Sequence, residues 1–434
     1  MDLCSPARKA AGLLLTSFAL WTAAAVAAPG DPLGPPATVS LQPGQTEPND
    51  VIASSTGVRV FWTAYNPVAG YQTLFAGDGT RLSGDLAIPD TYNASPATAA
   101  DGRHVVVQHR SDTGRTRLIA RRYAADGSLA GPELEVTDPA LVARPTEVGL
   151  PRVAMNAAGD FIVVWAQRKS IGAAGPTTCT TGFGRPRNCL GVYQTQILAR
   201  RYTGAGTVAG EITTVASASY LTAMAADLGV EALGPEVDTP SVALADDGSY
   251  AVVWTQYSEA TNLLRKRQVK LRHYPASGTA PLARTVEDSG AHAAPEVALD
   301  GLGNILVVYR KHPFGQRALA SLWLRRYASS TSNALGAAVR VDGGTQLEQA
   351  SLARIAVGTA GAFAVAWNAP DGVRLQRYAA GGFATGGNIA VSGAGSYHDY
   401  VRVAAHGGRL AVAWKQSPEP FSPGQVLVRF YEGP

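Results

Sequence analysis

The chain has 434 residues, 46% of them hydrophobic and only 16% charged, with a formal net charge of +4. So mild a balance gives no reason to expect nucleic acid or an anionic membrane surface as partner, and charge has to be read by its location. The 47 glycines and 27 prolines favour turns and buried strands over long surface helices.

In chain order, Arg8 and Lys9 precede an apolar run from Ala10 to Ala24 that ends in Ala25-Val26-Ala27, the pattern of a cleaved signal peptide over residues 1–28. No later stretch approaches the roughly 18 apolar residues of a membrane span, so a soluble product, secreted or periplasmic, is predicted. Residues 29–36 read as a flexible leader. Cys4 leaves with the signal. Cys179 and Cys189, closing "CTTGFGRPRNC", are expected to form a disulfide in an exported chain; metal binding is the lesser reading, because no histidine lies near them.

From residue 37 to 434 one pattern recurs: a small-residue run, a Gly turn, an apolar run, a variable loop, a run ending in Tyr, a second Gly turn and a last strand. The apolar runs are "VRVFW", "HVVVQ", "FIVVW", "YAVVW", "ILVVY", "FAVAW" and "LAVAW", with landmarks Trp62, Gln108, Trp165, Trp254, Tyr309, Trp367 and Trp414. Each run is short, rich in β-branched and aromatic residues and bounded by turn formers, so it reads as a strand. In the unit from Pro151 the strands are "PRVAM", "DFIVVWAQ", "QILARRY" and "EITTVA", joined by Gly hairpins. Seven four-stranded units in series predict one all-β domain, a seven-bladed β-propeller. The small residues of each first strand ("VIASS", "VAMN", "VALA", "IAVG") suit convergence on an axis. The last unit has only three strands, so "ATVSLQ" at Ala37 to Gln42 is expected to complete it.

Strands ending in Trp, followed by "ARRY" strands and "DG" turns, make the chain resemble the repeats of secreted bacterial β-propeller proteins over nearly all of its predicted mature length. The resemblance implies the fold and leaves the activity open. The paired arginines of "ARRY" at Ala120 and Ala199, with counterparts "LRHY", "LRRY", "LQRY" and "VRFY", read as blade packing, their stems on apolar surface and their guanidiniums over aromatic rings.

Function is therefore sought where the repeat breaks down. The loop after Trp165 runs about 30 residues to Gln196 by this reading, and the crossover from Ser217 to Thr239 is a second insertion. Phe183, Arg185, Arg187, Arg168 and Lys169 are the candidate ligand-binding residues. Basic residues gather in the loops between second and third strands, Arg110, Arg117, Arg267 and Arg310 among them. Acids gather in the crossovers, which would bring carboxylates to the channel mouth and set the basic groups further out. Solvated surface charge competes with the reading that these loops hold an anionic glycan or a uronic acid.

The seven histidines show no metal-ligand spacing, and there is no phosphate loop, nucleophile elbow or calcium loop; no cofactor or metal is expected. The most catalytic-looking stretch is "SYHDY", with Tyr397, His398 and Asp399, which Asp238 and Glu296 from other crossovers could join as an acid and nucleophile pair. The expected function is non-catalytic binding of a glycan or cell-surface protein by a monomeric propeller. The alternative is a polysaccharide hydrolase or lyase.

Overall fold

The computed structural model describes residues 30–433 except 42–43, 90–93, 113–114, 139–145, 173–177, 181–185, 226–228, 234, 262–263, 289–290, 313–319, 346, 348–352 and 421. The expected signal peptide lies outside the described residues. Within them, the strands form seven four-stranded antiparallel blades. The innermost strands are Thr46–Ser54, Ser95–Thr98, Arg152–Met155, Glu236–Leu244, Ala291–Leu299, Ala353–Val357 and Tyr397–His406. Each touches the innermost strands of the blades before and after it, and the last touches the first, so the sheets close into a ring.

The ring closes as the three-stranded last unit requires. Ala37–Thr38 pairs antiparallel with Gln425–Glu432, Ala37 opposite Val428, and the Val39 N–H donates to the Val426 carbonyl at 2.8 Å. The residue 29–36 leader is not free where it is described: the Leu33 N–H donates to the Phe430 carbonyl at 2.9 Å, and Leu33 packs on the core between the first and last blades. An open strand edge offers unpaired backbone groups, and the leader supplies partners for them.

The second strands are buried on both faces because every blade lies between two neighbours; Val105, Val106 and Val107 are all inaccessible. The apolar core is accordingly a set of inter-blade layers. Trp62 packs with Val428 and Phe430 of blade 7, Trp165 with Val105 and Leu118 of blade 2, Trp367 with Leu306 and Leu322 of blade 5, and Trp414 with Val373 and Leu375 of blade 6. Gln108 breaks the series. It is equally buried, and its amide donates to the Pro89 carbonyl at 3.2 Å.

The paired arginines join blades, and they do so mainly through backbone carbonyls. Arg200 donates to the Val136 carbonyl at 2.7 Å, Arg325 to Val286 at 2.7 Å and Arg429 to Val391 at 2.8 Å, each at the outer strand of the preceding blade. Arg121 and Arg272 make the equivalent contacts with Pro89 and Val215. The second arginine points the other way: Arg122 donates to the Gly204 carbonyl, in a turn of the next blade, at 3.0 Å. Stacking over aromatic rings is also present, as for Arg200 and Tyr202 at 5.8 Å. The tyrosine that follows stacks on the first aromatic residue of the neighbouring strand, with 4.7 Å between the Phe161 and Tyr202 rings.

One expectation is corrected in blade 3. The stretch after Trp165 is largely strand: Phe161–Gly172 and Pro186–Tyr202 stay paired as far as Gly172 opposite Val192. The Ser217 to Thr239 insertion likewise continues Thr213–Ala225 and folds back through Gly229–Leu233. The alternation of "GVYQTQIL" with "ASASYLTA" lets both segments add to the ladder, so blade 3 extends into a β-arm.

Candidate functional site

In each blade, one residue of the innermost strand lies opposite the residue just before the landmark. These are Asp50, Ser95, Arg152, Ser241, Glu296, Arg354 and Arg402, in register with Phe61, Val107, Val164, Val253, Val308, Ala366 and Ala413. The equivalence places them in one layer around the axis. In four blades a bulge precedes the position, and in three of them it holds a residue in the left-handed region, Thr239, Ala294 and Tyr400 at φ 49°, 50° and 54°. Such a bulge re-aims the side chains that follow it, and a non-glycine residue held there costs about 1–3 kcal/mol.

The layer is a connected polar network. Glu296 Oε1 lies 2.6 Å from Arg354 of blade 6 and 3.3 Å from Arg152 of blade 3, while the Ser241 hydroxyl donates to Oε2 at 3.1 Å. Arg152 and Glu296 sit two blades apart, so this contact joins blades that are not neighbours in the ring. Arg402 donates to the Asn49 carbonyl across the closing seam. Burial alone would raise the Glu296 pKa, but Arg354, Arg152 and the Ser241 hydroxyl together hold it below the usual carboxylate value. Burial, and then Arg354, push Arg402 down to about 9. Three guanidiniums face two carboxylates, Asp50 and Glu296, leaving one formal positive charge in the layer.

A cavity of about 320 Å³ borders this layer among blades 3 to 6, lined by Arg152, Arg354 and Glu296 of the layer and by Asp238, Thr239 and Pro295. It lies at the crossover ends of the innermost strands, on the face that carries the blade 3 arm. Burial raises the Asp238 pKa, with the Thr239 N–H opposing. A second cavity of about 210 Å³ shares Ala166 and Asp238 with the first and runs outward between blades 3 and 4 past Arg168, Gln167, Thr195 and Glu236.

Of the residues singled out in the sequence, Asp238 and Glu296 come together in the axial cavity. Tyr397, His398 and Asp399 do not line it. They belong to the innermost strand of blade 7 itself, with His398 buried opposite Gln416 and Asp399 opposite Lys415. The adjacent Tyr400 and Lys415 join Glu47 and Tyr65 at the ring closure: Lys415 lies 3.1 Å from Glu47, and the Tyr65 hydroxyl donates to Glu47 at 2.7 Å. Arg168 is held between Glu147, at 2.6 Å, and the ring of Tyr193, at 5.5 Å. Lys169 is half-buried on the same strand. Phe183 and Arg185 lie outside the described residues. Arg187, Cys179 and Cys189 lie on described strands, with Cys179 opposite Arg187, but their side chains, and with them the expected disulfide, are outside the described set.

The expected separation of charge is also corrected. Guanidiniums, as well as carboxylates, reach the axis, while loop arginines are ion-paired: Arg110 with Glu133 and Arg117 with Glu135. Arg152, Arg354, Arg402 and Asp50 went unnoticed in the sequence. Their signal was a charged residue standing before or within an otherwise small, apolar run, as in "PRVAM", "ARIAV", "VRVAA" and "NDVIA". Among the described residues no group of three or more His, Cys, Asp and Glu could hold a metal ion, and no helix is long and apolar enough to cross a membrane.

Fold and site together define a seven-bladed β-propeller with a charged axial layer. No family model matches the chain, and no curated protein matches it. Solved structures similar in fold include the Hadza microbial sialidase Hz136, with a TM-score of 0.45, 10% identity and coverage of 88% of this chain and 74% of that one. The polysaccharide lyase Uly1 has a TM-score of 0.45 and 8% identity, covering 88% and 76%. An α-L-arabinanase of Penicillium chrysogenum, complexed with arabinobiose, has a TM-score of 0.44 and 10% identity, covering 92% and 99%.

Proposed function

We propose that the protein is an exported, non-catalytic propeller that binds an anionic glycan, taking a carboxylate-bearing sugar in the axial cavity. The observation that carries this reading is the pair Arg152 and Arg354 lining that cavity, two of the three guanidiniums of a layer with one formal positive charge in excess. Guanidinium forks match a carboxylate in two-point contacts, and a cavity of about 320 Å³ is at the small end for ligand sites, the scale of a single sugar. Glu296 holds both arginines in place and is kept ionised by them, which suits a structural hub better than a proton donor.

The competing reading is glycan cleavage. It is favoured by one observation: Asp238 and Glu296 line the same cavity with their pKa values displaced in opposite directions, the pattern of an acid and base pair. Calorimetry with uronic and sialic acids, beside incubation with acidic polysaccharides read for product, separates the two. Binding that is lost in Arg152→Ala with no product released is the expected result. Product release that disappears in Asp238→Asn establishes the cleavage reading instead, and absence of both binding and product overturns each.

A further inference from the structure

We infer that the second cavity is an adjoining subsite for a neutral sugar, so that the glycan taken by this propeller runs outward from the axis between blades 3 and 4. The inference rests on the proposed binding of an acidic sugar at the axis and adds the direction and composition of the chain attached to it. The two cavities share Asp238 and Ala166, so a ligand leaving the axial cavity on that side enters the second without crossing a blade.

The chemistry changes between them. The axial cavity presents Arg152 and Arg354, two guanidiniums that share the single counter-charge of Glu296 and so retain charge for a sugar carboxylate. In the outer one, Arg168 is already committed to Glu147, at 2.6 Å, and to the Tyr220 hydroxyl, at 3.4 Å, and its guanidinium lies over Tyr193. Its charge is thereby met, and a second sugar carboxylate would face Glu147, Glu236 and Asp238. With Glu147 paired to Arg168, the other two carboxylates, Glu236 and Asp238, disfavour a further anion. The same oxygens accept from sugar hydroxyls, because an ionised carboxylate has about four acceptor positions and one ion pair leaves others available. The Gln167 amide and the Thr195 hydroxyl lie in the same wall. Hydroxyls without charge are thus the groups this wall recognises, and the volume of about 210 Å³ admits part of one sugar ring beside open solvent.

The direction is also set by the fold. The cavity is bounded on one side by Glu147, Val148 and Gly149, in the segment that pairs with Gln167 to Lys169 just before the innermost strand of blade 3, and on the other by Glu236, Val237 and Asp238 of the innermost strand of blade 4. Beyond it rises the β-arm of blade 3, carrying the stacked pair Tyr193 and Tyr220, whose rings are 5.8 Å apart.

The test compares free glucuronic acid with a disaccharide in which glucuronic acid is linked to a neutral hexose, and with a diglucuronic acid, by calorimetry on the mature protein. The neutral-linked disaccharide should bind about tenfold or more tightly than the monosaccharide, the scale of one or two charge-assisted hydrogen bonds, and the diglucuronic acid should gain nothing. Glu236→Gln and Gln167→Ala should erase that gain while leaving the affinity for glucuronic acid unchanged. If glucuronic acid binds but the neutral sugar adds nothing, the outer subsite is wrong and the axial reading stands. If glucuronic acid itself does not bind, both fall together.

Discussion

Arg152 of blade 3 and Glu296 of blade 5 meet 3.3 Å apart although blade 4, whose Ser241 bonds the same carboxylate, stands between their blades in the ring. With Arg354 at 2.6 Å from the same oxygen, this makes Glu296 the counter-charge of two guanidiniums. Glu296→Gln leaves both without it and should cost about 3 kcal/mol or more of stability, as for a broken buried pair. Replacing Arg354 by Met in the same chain should recover part of the loss. Urea denaturation of the single and double variants checks this, and equal, additive losses would show that the pair is not coupled.

The two carboxylates of the axial cavity should respond oppositely to pH. The Glu296 pKa is lowered on folding, so its contribution is complete above the unfolded value of about 4.3 and is lost as pH falls through the folded value. That of Asp238 is raised, so folding is favoured below the unfolded value of about 3.9 and penalised as pH rises through the folded value. Asp238→Asn should therefore raise the midpoint of unfolding at pH 7 and lower the advantage at pH 3. Denaturation curves at the two pH values give the sign directly.

Closure of the ring by the N-terminal segment predicts that a chain beginning after residue 41 is much less stable than one that keeps residues 30–41. It would lose Val39, which is fully buried, and leave the edge of Gln425–Glu432 unpaired. Limited proteolysis should cut the truncated protein first in blade 7, and an unchanged cleavage pattern would argue against the closure.

The arginines of the third strands should matter for stability and not for ligand. Arg200→Met removes a donor to Val136 and should cost about 1–3 kcal/mol, the price of an unsatisfied buried carbonyl. Its affinity for uronic acids should equal that of the parent. A loss of binding with intact stability would overturn the packing role and make these residues part of the binding site.

The Cys179 and Cys189 pair is expected to be oxidised in protein recovered from an oxidising compartment. Intact mass before and after reduction should differ by two hydrogens, and Cys179→Ser with Cys189→Ser should lower stability by up to about 3 kcal/mol on the loop-entropy scale. Two free thiols in protein recovered from such a compartment would remove the assignment.

How much of this was legible in the chain follows from how each feature is encoded. The strands are local: "FIVVW" must be a strand wherever it lies, because β-branched residues bounded by turns have few other folds to adopt, and seven such runs make a ring by repetition. The unpaired "ATVSLQ" segment and the three-stranded last unit announced the closure for the same reason. The paired arginines of "ARRY" could be placed on the third strand, though their carbonyl partners, one blade away, could not be named. Arg152, Glu296, Arg354 and Arg402 are another matter. Nothing in the neighbourhood of "PRVAM" or "ARIAV" shows that their charges meet, since the residues are separated by up to 250 positions and are brought together only when seven equivalent strands converge on one axis. Sequence by itself determined the repeat, and so the blade; the tertiary structure alone decided that one residue per blade shares a layer, because contact across a closed ring is a property of the ring and of no single repeat.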